Sequence, residues 1–256
     1  MNALESALRD KRELGRKLLV PYVTGGLPLT TGVNQEGRGG GTWTQVIMEL
    51  AHSGADAIEI GIPFSDPVMD GPIIQKASQL ALDGGATPGN ILEEIALLGN
   101  SADGEQFRQS GVPLAVMTYF NIAYSFGLER FAMELARCGV SGAILPDLPL
   151  EEASEWIQIA QGSSVDAVLL AAPSASDERL EHICRASSGF VYGVGVMGVT
   201  GIRDSLAASA QEIAVRLKSM TDKPVLIGVG VSDVDQARKA CESADGVVIG
   251  SALMRR

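Results

Sequence analysis

Two patterns of apolar residues alternate along this chain. Short continuous apolar runs occur at Leu18–Val23, Ala57–Ile62, Pro113–Thr118, Gly142–Leu145, Ala167–Ala171, Phe190–Val194, Val225–Gly228 and Gly246–Ile249. Unbroken apolar character is expected of parallel strands buried on both faces. Between the runs, apolar positions return at helical spacing over Thr44–His52, Gly71–Leu82, Gly89–Leu98, Gly127–Cys138, Leu150–Ala160, Asp177–Ala186, Leu206–Met220 and Val234–Ser243. Strict alternation of strand and helix, with no break in composition, predicts an α/β protein with a parallel sheet. Eight strands in 256 residues favour a closed (β/α)8 or TIM barrel, which typically takes about 250 residues, over an open doubly wound sheet. Residues 1–256 are therefore read as one domain.

One segment interrupts the pattern. Gly32–Gly41, GVNQEGRGGG, is polar and holds five glycines between the first strand and its helix. It reads as a mobile surface loop, with residues 33–41 as a flexible insertion. A loop there opens at the C-terminal face of a barrel, so an active-site or interface flap is the functional alternative.

Composition narrows the partners. A net charge of −11 and a pI near 4.7 argue against nucleic acid or an anionic membrane surface. A phosphorylated ligand would have to be held by local backbone dipoles. Cys138, Cys184 and Cys241 are far apart and lie in helical patterns, so they read as small buried hydrophobes rather than a disulfide or zinc framework. The first residues, MNALESALRDKRELGRK, show no apolar core of a signal peptide, and no run reaches a membrane span. A cytoplasmic protein is the expectation.

The chemistry concentrates in DAIEIGIPFSDPVMDGPIIQ, Asp56 to Gln75. Ile58 and Ile60 point to one side of a strand and Glu59 to the other. A buried, unpaired carboxylate is costly, so its pKa should rise toward neutrality. Beside a second carboxylate on the following loop it makes a plausible acid/base pair. The alternative is a structural acid bonded to tyrosine or backbone. Asp66 precedes a proline and reads as a turn residue. Asp70, before Gly71, fits either a helix N-cap or a catalyst, and Asp147 in LPDLPLEE carries the same ambiguity.

Other chemistries lack their residues. Lys11, Lys17, Lys76, Lys218, Lys223 and Lys239 all fall outside the strands, which removes a Schiff-base lysine facing the lumen. His52 and His182, the two histidines, lie in helical stretches and read as surface residues, so no metal site is expected. Three glycine-bearing turns at strand ends, GVTGIR (198–203), GVGVSD (228–233) and IGSAL (249–253), suit a phosphate held by backbone N–H groups.

These pieces, taken together, resemble the tryptophan synthase alpha subunit family. The similarity is carried by PYVTGG (21–26), DAIEIGIPFSDPVMDGPIIQKA (56–77), MTYFN (117–121), PDLPLEE (146–152), FVYGVGVMGVTG (190–201), GVGVS (228–232) and DGVVIGSAL (245–253), nearly end to end. The resemblance implies a TIM barrel that cleaves indole-3-glycerol phosphate to indole and glyceraldehyde 3-phosphate. It implies Glu59 as general acid/base and Asp70 as the second catalytic carboxylate. It places Tyr22 and Tyr192 in the lining, Thr200 and Gly201 in a closing loop, and Gly201, Gly230, Gly250 and Ser251 around the phosphate. It further implies no cofactor in this chain and a pyridoxal-phosphate beta subunit as partner in an alpha2beta2 assembly. A standalone lyase and a weakly catalytic regulatory subunit are the alternatives.

The sequence departs from the family pattern in several places. The first βα loop is lengthened. Asn121-Ile122 replaces an expected asparagine-proline, and GVGVM precedes Gly198 in place of a polar pair. A further helix is expected after the eighth strand, and a barrel without that cover would expose apolar surface.

Overall fold

The computed structural model describes residues 3–28, 42–100, 102–195, 203–228 and 233–254. Eight parallel strands close into a barrel in sequence order: β1 (Leu18–Thr24), β2 (Ile58–Gly61), β3 (Leu114–Met117), β4 (Val140–Ile144), β5 (Asp166–Ala171), β6 (Val191–Val194), β7 (Val225–Gly228) and β8 (Gly246–Ile249), with β8 pairing back to β1. The described helices are α1 (Ala3–Glu13), α2 (Trp43–His52), α3 (Pro72–Asp83), α4 (Pro88–Asn100), α5 (Ala102–Ser110), α6 (Phe120–Phe126), α7 (Leu128–Arg137), α8 (Ser154–Gly162), α9 (Asp177–Ala186), α10 (Arg203–Met220), α11 (Val234–Cys241) and α12 (Ser251–Met254).

The strand period of two sorts the apolar residues into two cores. Ile58, Ile60, Leu114, Val116, Leu169, Val191, Ile227 and Val247 face outward and pack with the helices. Val20, Ala115, Ile144, Val168, Tyr192, Leu226 and Val248 fill the lumen. Leu4 and Leu8 of α1 join this inner cluster and close the barrel base. The carboxylate of Asp166, at the start of β5, accepts from Glu5 N at 3.2 Å beside the first turn of α1.

The helix boundaries differ from the sequence reading in instructive ways. The stretch expected as one helix over Leu150–Ala160 is a 3-10 turn at Leu150–Glu152 followed by α8, broken at Ala153. Helices α1, α5 and α6 have no counterpart in the periodic stretches, and α12 follows β8, where the family resemblance places a further helix; α1 is polar except for the Leu4/Leu8 stripe, one helical turn apart. The missing proline after Asn121 has a visible consequence: Ile122 N donates to Tyr119 O at 3.0 Å, closing the first turn of α6, a bond that proline could not make. Cys138 and Cys184 are buried as expected, but Cys241 is only partly covered. Beside it, Leu19 is 40 % exposed. It opens a groove of about 780 Å³ on the outer wall with Ala237, Val247, Ile249 and Ala252. Gly32–Gly41 lies outside the described residues.

Candidate active site

Glu59 sits on β2 between two outward isoleucines, level with Tyr22 of β1 and Ala115 of β3. It points into the lumen and is 1 % exposed. Its Oε2 has no hydrogen-bond partner, which counts against the structural-acid alternative. Burial, with Asp70 adding a like charge, pushes its pKa to about 8. At neutral pH it is therefore a protonated acid with a proton to give.

Asp70 ends the loop between β2 and α3. The N-cap of α3 is Gly71, with no side-chain cap bond and Pro72 opening the helix, so Asp70 is not the cap. The loop is pinned instead through Tyr119, whose hydroxyl accepts from Met69 N at 2.9 Å and donates to Asp70 Oδ2 at 3.5 Å. The Tyr119 ring stacks on Phe64 with centroids 4.9 Å apart. The Gln75 side chain donates to Asp70 O at 2.9 Å. Burial raises the Asp70 carboxyl to about 6, against the lowering effect of the Tyr119 bond. The two carboxyls thus straddle neutrality, one protonated and one ionised.

The other acids separate from this pair. Asp66 is exposed; its side chain accepts from Ser65 Oγ at 2.6 Å and its carbonyl accepts from Val68 N, a local turn as read from the sequence. Asp147 Oδ1 accepts from Phe120 N at 2.8 Å, seating the start of α6. His52 and His182 are exposed on helices. Lys223 is at the base of the barrel, donating to the carbonyls of Cys184, Arg185 and Ser187. Among the described residues, no group of three or more His, Cys, Asp or Glu could hold a metal ion.

Two buried tyrosines line the lumen because glycines make room for them. A Cβ on Gly61 would lie 1.9 Å from the Tyr22 hydroxyl, and one on Gly228 would lie 2.2 Å from that of Tyr192. Burial raises both phenols. Asp70 and then Glu59 raise Tyr22 further, whereas Glu59 leads for Tyr192. The buried Thr24 side chain lies against the Tyr22 hydroxyl and opposes part of that rise. Gly250 backs the Tyr22 ring, its Cβ position 3.4 Å from Tyr22 Cβ. The carbonyl of Gly250 accepts from Leu253 N and Met254 N, so the leading amides of α12 are those of Ser251 and Ala252. At the mouth, a recess of about 210 Å³ is lined by Met69, Pro146, Leu148, Leu170, Ala172 and Val194 among others. The larger groove by Leu19 includes neither carboxylate. Thr200, Gly201 and Gly230 lie outside the described residues. Tyr119 was not singled out from the sequence; its only signal there was a tyrosine directly after strand 3, in MTYFN.

The tryptophan synthase alpha chain family model matches residues 8–256. The chain belongs to that family. The Streptomyces coelicolor tryptophan synthase alpha chain is 38 % identical over 253 residues, spanning 99 % of this chain and 87 % of that protein. The alpha chain of a Picosynechococcus species is 38 % identical over 257 residues, spanning 100 % and 90 %. Among solved structures, Mycobacterium tuberculosis tryptophan synthase superposes with a TM-score of 0.82 at 35 % identity, covering 98 % of this chain and 90 % of that one. A Legionella pneumophila tryptophan synthase alpha chain gives 0.81 at 29 % identity, covering 100 % and 87 %. The family's reaction is the lyase cleavage of indole-3-glycerol phosphate in tryptophan biosynthesis, and this chain is an enzyme of that reaction.

Proposed function

We propose that Glu59 and Asp70 are the catalytic pair of this lyase. The observation that carries the reading is the inward, unpartnered Glu59 carboxyl, held protonated by burial, with an ionised Asp70 acting on it. Protonated Glu59 gives its proton to indole C3, and the ring nitrogen becomes cationic. Ionised Asp70 stabilises that charge. Glu59, now a carboxylate, takes the proton of the side-chain hydroxyl as the aldehyde forms. The bond from C3 to the glycerol carbon breaks, and its electrons return to the ring. The net change moves one proton from oxygen to carbon, so side-chain carboxylates supply both proton transfers.

The lumen fits the rest of the substrate. Tyr22, Tyr192, Met117 and Leu170 offer the aromatic and apolar wall for an indole. We place the phosphate at the amides of Gly250–Ser251 together with Gly201 and Gly230, and assign Thr200 and Gly201 to the loop that closes over the site. We further propose a beta subunit with its own pyridoxal phosphate as partner, in an alpha2beta2 assembly on the C-terminal face of the barrel, in the cytoplasm. Residues 1–256 act in this reading as one catalytic domain. The test is indole release from indole-3-glycerol phosphate by the full chain and by Glu59→Gln and Asp70→Asn. Each variant should lose about 10²–10⁴-fold in kcat, with substrate binding largely kept. A variant holding half the parent rate removes that residue from the pair.

A further inference from the structure

We propose that Tyr119 is the positioning residue for Asp70, anchoring the β2–α3 loop to the end of β3 and directing its phenolic proton onto the Asp70 carboxylate. The inference rests on the role given above to Asp70. Three features of the geometry carry it. Met69 N occupies the acceptor side of the Tyr119 hydroxyl at 2.9 Å, so the hydroxyl's own proton is free for Asp70 Oδ2 at 3.5 Å. Phe64, on the same loop, stacks on the ring at 4.9 Å, so the loop grips the phenol at both its face and its tip. Asp147 fixes the next residue through Phe120 N at 2.8 Å, and Tyr119 itself is 5 % exposed. A 3.5 Å contact is long for an O–H donor. Catalytic hydrogen bonds often tighten when substrate arrives.

The surroundings leave Asp70 dependent on this contact. The titratable groups facing Asp70 are Glu59 on β2, Tyr22 on β1, Tyr192 on β6 and Tyr119, all acids or phenols, and the Asp70 charge raises each of them; Asp147 acts in turn on Tyr119. Among the described residues no cation pairs with Asp70, and the bond from Tyr119 is the one that favours its ionised form. A donor to a carboxylate lowers its pKa, so removing it raises the pKa.

The experiment measures kcat and KM for indole-3-glycerol phosphate from pH 5 to 9 with the parent chain, Tyr119→Phe, Asp70→Asn and the double variant. In Tyr119→Phe the acid limb of kcat should move up by about half to one pH unit. That is a roughly two- to fivefold loss at pH 6, largely recovered near pH 7.5, with KM little changed. The double variant should be no slower than Asp70→Asn, because the two act as one unit. An unmoved limb with the loss confined to KM, or losses that multiply in the double variant, overturns the proposal and leaves Tyr119 a lining group. Retained activity in Asp70→Asn overturns the role of Asp70 and this inference with it. An inactive Asp70→Asn beside an unmoved limb in Tyr119→Phe overturns the inference alone. Should Tyr119→Phe fail to fold, Phe64→Leu releases the ring while keeping the hydroxyl. The limb must then shift in the same direction by a smaller amount, and no shift counts against the proposal.

Discussion

At the scale of single residues, the site is a contest between burial and charge, and burial wins at Glu59. Its carboxyl titrates at about 8 in the folded chain against 4.5 as a free side chain. Between those values the folded state holds a proton that the unfolded state has released. Stability from this group is therefore fully present below about pH 4.5 and is lost as pH rises, by about 1.4 kcal/mol per unit, until the folded group ionises near 8. Glu59→Gln removes that loss. The variant should melt close to the parent at pH 5 and several degrees above it at pH 8.5, measured by thermal denaturation across pH. Equal melting shifts at both pH values would mean that Glu59 is not buried as an acid. In the proposed mechanism Asp70 must be ionised and Glu59 protonated. The kcat profile of the parent should be bell-shaped with limbs near 6 and 8. A plateau reaching pH 10 would remove Glu59 as the proton donor.

At the scale of elements, the strand ends and their glycines build the pocket. Gly61 closes β2 two residues after Glu59, on the same face, and the Tyr22 ring lies across it. A methyl there would overlap the hydroxyl and the ring edge, with contacts of 1.9 to 2.6 Å. Gly61→Ala should push Tyr22 off the wall and cost about 1–3 kcal/mol of stability by overpacking. Indole release should fall at least about tenfold, since misplacement of about 1 Å is enough for larger losses. Replacing Tyr22 by a smaller residue in the same chain should restore the melting temperature. Unchanged kinetics in Gly61→Ala would show that Tyr22 does not shape the site. The strands themselves were legible, because a parallel strand buried on both faces has to be apolar throughout. β2, β3, β6, β7 and β8 fall within or on the expected ranges. Short helices such as α6 were not legible from periodicity, because seven residues carry too little of it to stand out from a loop.

At the scale of the whole molecule, the two ends of the barrel do different work. The base holds an ionic lattice around α1. Asp56, 1 % exposed, accepts from Leu19 N at 2.8 Å and lies 3.2 Å from Arg16 and 3.5 Å from Lys11. Its Oδ1 is at ion-pair distance but without a well-directed hydrogen bond. Asp245, on the other flank of β1, pairs with Lys218 and Arg12. Asp56→Asn should cost about 3 kcal/mol and lower the melting temperature by roughly 6–12 °C, while kcat per folded molecule stays within twofold. A large loss of kcat without loss of stability would show that the base communicates with the mouth. The C-terminal end carries the catalytic loops and is the face proposed for the beta subunit. A partner that favours a closed site raises activity only through its differential affinity for that state. Titrating beta subunit into the chain at saturating substrate should raise the rate of indole release. A flat response despite complex formation would favour a standalone lyase.

The sequence by itself determined the alternation of strand and helix, the side of β2 that Glu59 occupies, and the family, because these depend on period, residue type and order along the chain. It also placed Asp66 in a turn. On spacing alone it left Asp70 and Asp147 equivalent, each an acid in a proline-bearing loop after a strand, and only the family resemblance favoured Asp70. The tertiary structure gave the physical distinction, assigning Asp147 to the Phe120 amide and Asp70 to the Tyr119 hydroxyl. It also decided that two tyrosines rest on Gly61 and Gly228 and that α1 closes the base with Leu4 and Leu8. The physical reason is the same in each case. A carboxyl's burial, its hydrogen-bond donor and the room beside a ring are set by residues far away in the chain, and closure of the barrel brings them together.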